Sequence, residues 1–366
     1  MAKTRARSGD EKPRVLYVVL GSDCDPDRLT YGGSAYDSRA ELKWEGVRVG
    51  VARAREIASR VAEDLSVPIH FTWCVRSDAQ LGEVYGDPAW PYRAFADMWE
   101  HLAAGGDELA WHPHLWRWDD AAGCWYQEIE DEGWIAECLS AGHQGLSAMV
   151  GDKLTTCRMG WEFHNDLTMQ AVGSLGLRHD FSAIPGWFTP GEASRGSRLH
   201  CYSDWRGTPC TPYVPSRTDY RRPATGPEDA LGLWELPMSV FESGLWGGLR
   251  TMRRSVRDHG AWGLASALSP TTWRSAPNKA YVTVKPQLFG RLVASVLQSA
   301  CRSVGQPGLL VTAFHPDELL EEGEGKFYSS TNFEANLRLI INQTRAQGFE
   351  PVFGTVAAIA RTWGTQ

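Results

Sequence analysis

Much of what would make this chain easy to place is missing from it. No stretch approaches the ~20 uninterrupted apolar residues that a membrane-crossing helix needs, so no membrane span is expected. The opening segment MAKTRARSGDEKPR is polar and lacks the apolar heart of a signal peptide, so a cytoplasmic location is expected. The eight cysteines include no CxxC pair, which argues against a zinc knuckle or a disulfide frame and for reduced thiols in a cytosol. Basic residues form no long block. There are 37 Lys and Arg against 44 Asp and Glu, a formal charge of −7, and the arginines between 249 and 257 are scattered. That balance argues against nucleic acid as the main partner and for a small or neutral ligand. Internal repeats and low-complexity linkers are absent as well.

What is present is apolar and aromatic. With 43% apolar residues, a chain of 366 has ample material for two ordinary domains or one large barrel. Seventeen tryptophans are many, and Trp116, Trp118, Trp125, Trp161, Trp187 and Trp205 lie beside polar residues in expected loops. Sugar rings stack on such side chains, although most tryptophans fill cores and rims.

Along the chain, apolar runs of strand length alternate with helical patterning. RVLYVVLGSD (14–23) reads as a buried strand, 48–65 as a helix, PIHFTWCV (68–75) as a strand and 91–106 as a helix. ELAWHPHLW (108–116) follows, then a helix over 131–150, a strand over 154–160, a helix over 165–176 and a strand over 179–184. After an irregular stretch from 185 to about 232, LWELPMSV (233–240) reads as a strand. A second irregular stretch, about 244–279, precedes the strand AYVTV (280–284). The order closes with a helix over 286–304, a strand over 308–314, a helix over 331–348 and a strand over 351–356. Such βαβα arithmetic predicts an α/β fold with a parallel sheet: a distorted seven- or eight-stranded (β/α) barrel with long loop insertions. Residues 1–13 are expected to be a disordered tail and 14–366 one domain carrying the insertions at 185–232 and 244–279.

In a parallel barrel the chemistry gathers at the C-terminal ends of the strands. The first strand ends in SDCDPD, and because residues i and i+2 of an extended chain share a face, Asp23 and Asp25 point the same way. The third ends in His112 and His114, with Pro113 between them holding the chain extended. Two readings of the His-Pro-His pair are open: imidazoles aimed at one metal ion, or polar residues satisfied by neighbouring carbonyls. The fourth strand ends in Arg158, the strand at 233 in Glu235 and the strand at 308 in His315. Taken singly, Asp-x-Asp before a proline is a turn device, Arg158 an ion pair, Glu235 a binder of backbone amides and His315 a cap. Together at successive strand ends they supply carboxylates and imidazoles for a divalent metal plus a separate base and acid.

The order Asp-x-Asp, DELAWHPH, RMGW, DFSAIPG, LLVTAFHPDEL and NLRLIINQTRAQGFEPVFGTVAAIA resembles the polysaccharide deacetylases, metal-dependent carbohydrate esterases built on a distorted (β/α) barrel, over about residues 14–360. The resemblance implies Asp23 as general base, Asp25 and His112 as metal ligands, Arg158 as the group orienting the base and His315 as general acid. Two departures stand out. Cys24 separates acids that are adjacent in the family, and the second histidine lies at 114 where the family spacing would place it at 116, here Trp. His114 is therefore the expected third ligand, and Zn²⁺ the expected ion by ligand type. The implied activity is removal of an acyl group, N-acetyl above all, from an amino sugar or sugar-like intermediate. Trp116, Trp161, Trp187, Trp205, Tyr213 and Glu235 are the expected substrate-binding residues, and the loop over 185–232, with His200 and Tyr202 also in it, is the expected selector. Three other readings remain: a carbohydrate-binding protein without metal, a hydrolase of a non-sugar amide, and a glycosidase using Asp23 and Glu235.

Overall fold

The computed structural model describes residues 14–27, 39–189, 201–242, 277–303, 305–323 and 326–364. The expected tail (1–13), His200 and nearly all of the insertion at 244–279 lie outside these residues. Eight parallel strands form one sheet: β1 (Arg14–Cys24), β2 (Thr72–Arg76), β3 (Glu108–His112), β4 (Thr156–Cys157), β5 (His179–Asp180), β6 (Trp234–Glu235), β7 (Gly308–Phe314) and β8 (Phe349–Phe353). Their spatial order is β6-β5-β4-β3-β2-β1-β7, curled as a distorted barrel. One edge of β1 is shared, because β8 pairs with Arg14–Val18 and β2 with Gly21–Cys24. The outermost strands, β6 and β7, are bridged by Ser239 just after β6. Its N–H donates to the Val311 carbonyl at 2.9 Å and its Oγ accepts from the Val311 N–H at 3.0 Å.

Outside the sheet lie α1 (Val51–Leu65), α2 (Ala96–Ala104), α3 (Glu132–Val150), α4 (Asp166–Ser174), α5 (Pro286–Arg302) and α6 (Ser330–Ala346). Leu16, Val18 and Leu20 of β1 point outward into a core that includes Val51, Ala54 and Ile57 of α1, Leu292 and Val293 of α5 and Phe333, Leu337 and Ile340 of α6. The other parity faces the barrel interior, and its side chains fall in three layers. At the bottom, Thr72, Glu108 and Thr156 meet α7 (Val356–Gly364): Val356 N–H donates to Thr72 Oγ1 at 3.0 Å and Ala357 N–H to Glu108 Oε2 at 3.1 Å. The middle layer is apolar, with Val19, Cys74, Ala110, Phe181, Val311 and Ala313 packed against Val356 and Ile359 of α7. Two or four residues further along the same strands come Asp23, Arg76, His112 and His315, so the period of two lifts the inward face from packing to chemistry. Gly21 makes room in the middle layer, since a Cβ there would stand 2.6 Å from Cε2 of Phe181.

Several expected elements differ in detail. AYVTV is not a strand: residues 280–284 lie against β7 through only two bonds, Val282 N–H to the Ala313 carbonyl at 3.1 Å and Thr312 Oγ1 to the Ala280 carbonyl at 2.9 Å. The expected helix over 91–106 is broken at Phe95 into Trp90–Ala94 and Ala96–Ala104. Elements that were not expected include α7, the helix Ala79–Tyr85 and the hairpin of Trp116–Asp119 with Cys124–Gln127 that follows the His-Pro-His turn. Among the described residues no helix is long and apolar enough to cross a membrane.

Candidate active site

Asp25, His112 and His114 converge just above the strand ends. Asp25 Oδ1 lies 3.2 Å from His114 Nε2, Asp25 Oδ2 lies 3.5 Å from His112 Nε2, and the two Nε2 atoms are 3.2 Å apart. Four donors held tetrahedrally at ~2.0–2.1 Å from one ion are themselves ~3.3 Å apart, and the contacts among these three side chains, made by the two carboxylate oxygens separately, are on that scale. Among the described residues it is the one group of three His, Cys, Asp or Glu side chains whose ligand atoms lie within 4.8 Å of one another. The surroundings fix the ring orientations as a metal site needs. His112 Nδ1–H donates to the Arg158 carbonyl at 2.6 Å, which turns Nε2 towards Asp25. The His114 ring stacks on Trp116, with centroids 6.0 Å apart and planes 9° from parallel, and its backbone N–H donates to Asp78 Oδ2 at 3.1 Å. Beside His114 the chain passes at Gly160, where a Cβ would be 2.3 Å from the ring.

A second acid stands next to the triangle. Asp23 Oδ1 accepts from Arg158 Nε at 2.7 Å, and Arg158, fully buried, also donates from Nη1 to the Phe181 carbonyl at 2.7 Å. Burial works against the Asp23 charge, but Arg158, His112 and His315 outweigh it and bring its pKa down to about 2. Asp25 behaves likewise: burial opposes its charge, yet His114 and His112 hold it well below the ordinary carboxylate range. Burial also acts against both histidines. It prevails at His114, which is lowered, whereas at His112 the two aspartates prevail and the ring is raised. His315 Nε2 faces both acids, 3.8 Å from Asp23 Oδ2 and 3.9 Å from Asp25 Oδ2. On its far side Glu318 Oε1 lies 3.7 Å from Nδ1, while Glu318 Oε2 accepts the His315 backbone N–H at 3.3 Å. Tyr281 meets the His315 ring edge-on at 5.5 Å.

The structure thus brings together Asp23, Asp25, His112, His114, Arg158 and His315, with Trp116 as backing to His114. Trp161 meets Trp116 edge-on at 6.3 Å, and Trp187 is half-buried with the Lys279 ammonium 5.7 Å from its ring. Three expected substrate residues are set elsewhere. Trp205 and Tyr213 are buried, the former in a small cluster with Met169, Tyr220 and Leu233 that packs the 201–231 segment onto the flank of the barrel. Tyr213 donates its hydroxyl to the Tyr220 carbonyl at 3.0 Å. Glu235 is fully buried on the outer face of β6, because its neighbours Trp234 and Leu236 take the inward parity. Its Oε1 accepts the Ala183 N–H at 3.0 Å, and burial and the adjacent Asp180 push its pKa well up. Glu235 therefore does not flank a sugar bond with Asp23.

Other charged side chains enter the site that the strand-end reading passed over. Arg76, fully buried at the end of β2, lies 3.4 Å from Asp25 Oδ1 and donates from Nε to Asp78 Oδ2 at 2.8 Å. A charged residue closing an apolar strand was the signal available for it. Glu162 pairs with Arg158 Nη2 at 3.4 Å and with Lys279. Trp161 and Glu162 both have left-handed backbone, φ 57° and φ 52°. Non-glycine residues there cost ~1–3 kcal/mol each and persist where surrounding contacts hold them.

No family model matches the sequence, and no curated protein matches it. The likeness that does emerge is to solved structures, and it is one of fold. The solved structures the chain is similar to include a candidate glycoside hydrolase/deacetylase from Parabacteroides distasonis, at 14% identity over 97% of this chain and 72% of that chain, with a TM-score of 0.55. A candidate polysaccharide deacetylase from Pseudomonas aeruginosa PAO1 is similar at 14% identity over 96% of this chain and 92% of that chain, TM-score 0.50. The PuuE allantoinase is similar at 12% identity over 98% and 95%, TM-score 0.50. At these identities the likeness is one of fold, and it agrees with the fold that the family resemblance implied.

Proposed function

We propose that this protein is a metal-dependent amide hydrolase that removes an acyl group, N-acetyl above all, from an amino sugar or sugar-like molecule. The observation that carries the reading is the triangle of Asp25, His112 and His114 with Asp23 and His315 standing over one side of it. Zn²⁺ suits a donor set of two imidazoles and one carboxylate. Such an ion, when bound, supplies Lewis-acid polarisation of the acyl carbonyl and makes water more acidic.

The remaining work falls to the chain. Asp23 accepts the proton of the attacking water. A carboxylate with a pKa of about 2 is a weak base, so it suits only a water that has already been made acidic. Arg158 keeps Asp23 ionised and fixes the direction of its lone pairs. His315 delivers a proton to the departing nitrogen, which leaves poorly as an anion, and Glu318 places a carboxylate 3.7 Å from the ring's other nitrogen. Trp161 and Trp187 offer ring faces at the mouth. The eight free cysteines fit a reducing, cytoplasmic setting.

A second reading keeps the same groups and changes the amide: the allantoinase neighbour makes a small non-sugar C–N bond the alternative substrate. Incubation with N-acetylated amino sugars, their oligomers and small cyclic and linear amides, with and without chelator, tests both. Chelator-sensitive release of amine from an acetylated sugar supports the first reading, and release from the small amides alone supports the second. Chelator-insensitive turnover, or none from any substrate, contradicts both.

A further inference from the structure

Glu162 is placed in an unusual way for an acid that contacts neither the triangle nor His315. Its side chain is nearly buried, 11% exposed, and its Oε1 lies between two cations, Arg158 Nη2 and Lys279 Nζ. Burial opposes its charge, and Lys279 and Arg158 overcome that and lower its pKa. Its backbone is left-handed, as is that of Trp161 before it, in a place where glycine would sit without strain. The chain holds the conformation from outside: the Glu162 carbonyl accepts from Trp205 Nε1 at 2.7 Å and from Ser203 Oγ at 3.0 Å. The two left-handed residues thus send one side chain to each half of the site, Trp161 to the Trp116 that backs His114, and Glu162 to the Arg158 that grips Asp23. Lys279, Tyr281 and Thr283 extend the arrangement at alternate positions, meeting Glu162, the His315 ring and Glu318 in turn.

We propose that Glu162 is a positioning residue: it clamps the Arg158 guanidinium so that Nε stays on Asp23, and through Ser203 and Trp205 it ties the 201–231 segment to the base. This rests on the reading of Asp23 as the base. A strained acid held between two cations is what a site requires when the guanidinium must not turn towards solvent, because a misplacement of ~1 Å at a reacting group costs up to ~10²-fold in rate.

The test uses the full chain loaded with zinc, with kcat and KM measured on an N-acetyl amino sugar and the solvent exchange of the Arg158 Nε–H followed by NMR, its signal assigned by its loss in Arg158→Lys. In Glu162→Ala, kcat falls ~10- to 100-fold while KM stays within about threefold and zinc content is unchanged. The Arg158 Nε–H exchanges faster in that variant. Glu162→Gln, which keeps an acceptor for Arg158, recovers most of kcat and the slow exchange. Glu162→Gly, at ease in the left-handed backbone, replaces the alanine variant should that one fail to fold. Wild-type kcat per folded molecule with unchanged exchange in the alanine or glycine variant overturns the proposal, as does an equal loss in the glutamine variant. A wild-type protein inactive on every amide contradicts the amide-hydrolase reading, and the exchange measurement still decides whether Glu162 positions Arg158.

Discussion

Replacing Asp23 by Asn keeps the shape of the side chain and deletes its charge, leaving Arg158 buried with Glu162 as its remaining anion. The cost follows from proton affinity. A carboxyl that ionises at about 2 in the fold against 3.8 in a free chain contributes on the order of 2–3 kcal/mol at neutral pH, since one pKa unit corresponds to ~1 kcal/mol or slightly more. Removing one partner of a buried ion pair costs ~3–5 kcal/mol, and a value at or below that range fits a pair in which Glu162 and the Phe181 carbonyl still hold the guanidinium. Unfolding entropy of ~2.1 cal/mol/K per residue over 366 residues converts a loss of ~2–3 kcal/mol to a Tm loss of about 3–4 °C. The sign with pH is fixed, because the folded value lies below the unfolded one. The wild-type advantage is complete above the unfolded value of 3.8 and disappears as pH falls through about 2. Urea unfolding of both proteins in chelator, so that only the chain's own charges act, at several pH values from 7 down to 3, measures it. A constant gap at pH 5 to 7 that narrows below 4 is expected. An Asn protein as stable as wild type at pH 7, or a gap that ignores pH, would show that the Arg158–Asp23 contact does not hold the carboxylate as described. With zinc restored, the same variant should lose ~10² to 10⁴ in rate while keeping its metal.

Gly160→Ala leaves all three ligands in place but puts a methyl where the His114 ring now lies, 2.3 Å from Cδ2. Zinc affinity should drop ~10- to 100-fold in a chelator competition, the scale on which disturbed ligand support acts, and unchanged affinity would refute the close approach. Glu235→Gln tests the buried acid behind β6. Burial and Asp180 raise its folded pKa well above the ordinary 4.5, so the fold holds the extra proton and wild-type stability is lost as pH rises from there towards the folded value. The Gln variant, neutral throughout, should gain on wild type in Tm as pH rises from 5 to 9, whereas a gap independent of pH would contradict the raised pKa.

All eight sheet strands overlap runs that the sequence marked as strands, but only the long ones kept the expected extent. β1 and β7 are long apolar runs, and β3 carries the His-Pro-His ending, so their inward and outward parity follows from period two. β4, β5 and β6 lie in mixed runs of strand length, yet each strand is only two residues long, and no local pattern states how far a barrel strand stays in register. The same limit explains Glu235: its distance from a strand end was readable, but its parity depends on whether Trp234 and Leu236 face in. AYVTV has strand composition and even the alternation, with Ala280 and Val282 outward and Tyr281 inward, but it meets β7 at too few points to form a ladder. The helix Val356–Gly364 was hidden by its β-branched start, although Thr355, whose Oγ1 accepts the Ala358 N–H at 3.3 Å, was a readable N-terminal signal. At the site, the i, i+2 rule singled out Asp23 with Asp25 and His112 with His114. Glu162 and Lys279 meet across 117 positions and Glu162 has a left-handed backbone, while Tyr281 reaches His315 and Glu318 reaches Thr283 from more than thirty positions away, and nothing in their local sequence announces these meetings.

The central claim is that Asp25, His112 and His114 hold one divalent cation. Elemental analysis of purified, zinc-supplemented and dialysed protein, beside the His112→Ala variant treated identically, tests it most directly. About one zinc per wild-type chain and a marked loss in the variant, which gives up one of three donors, is the expected result. No retained ion in the wild type, or equal retention in both proteins, would contradict the account.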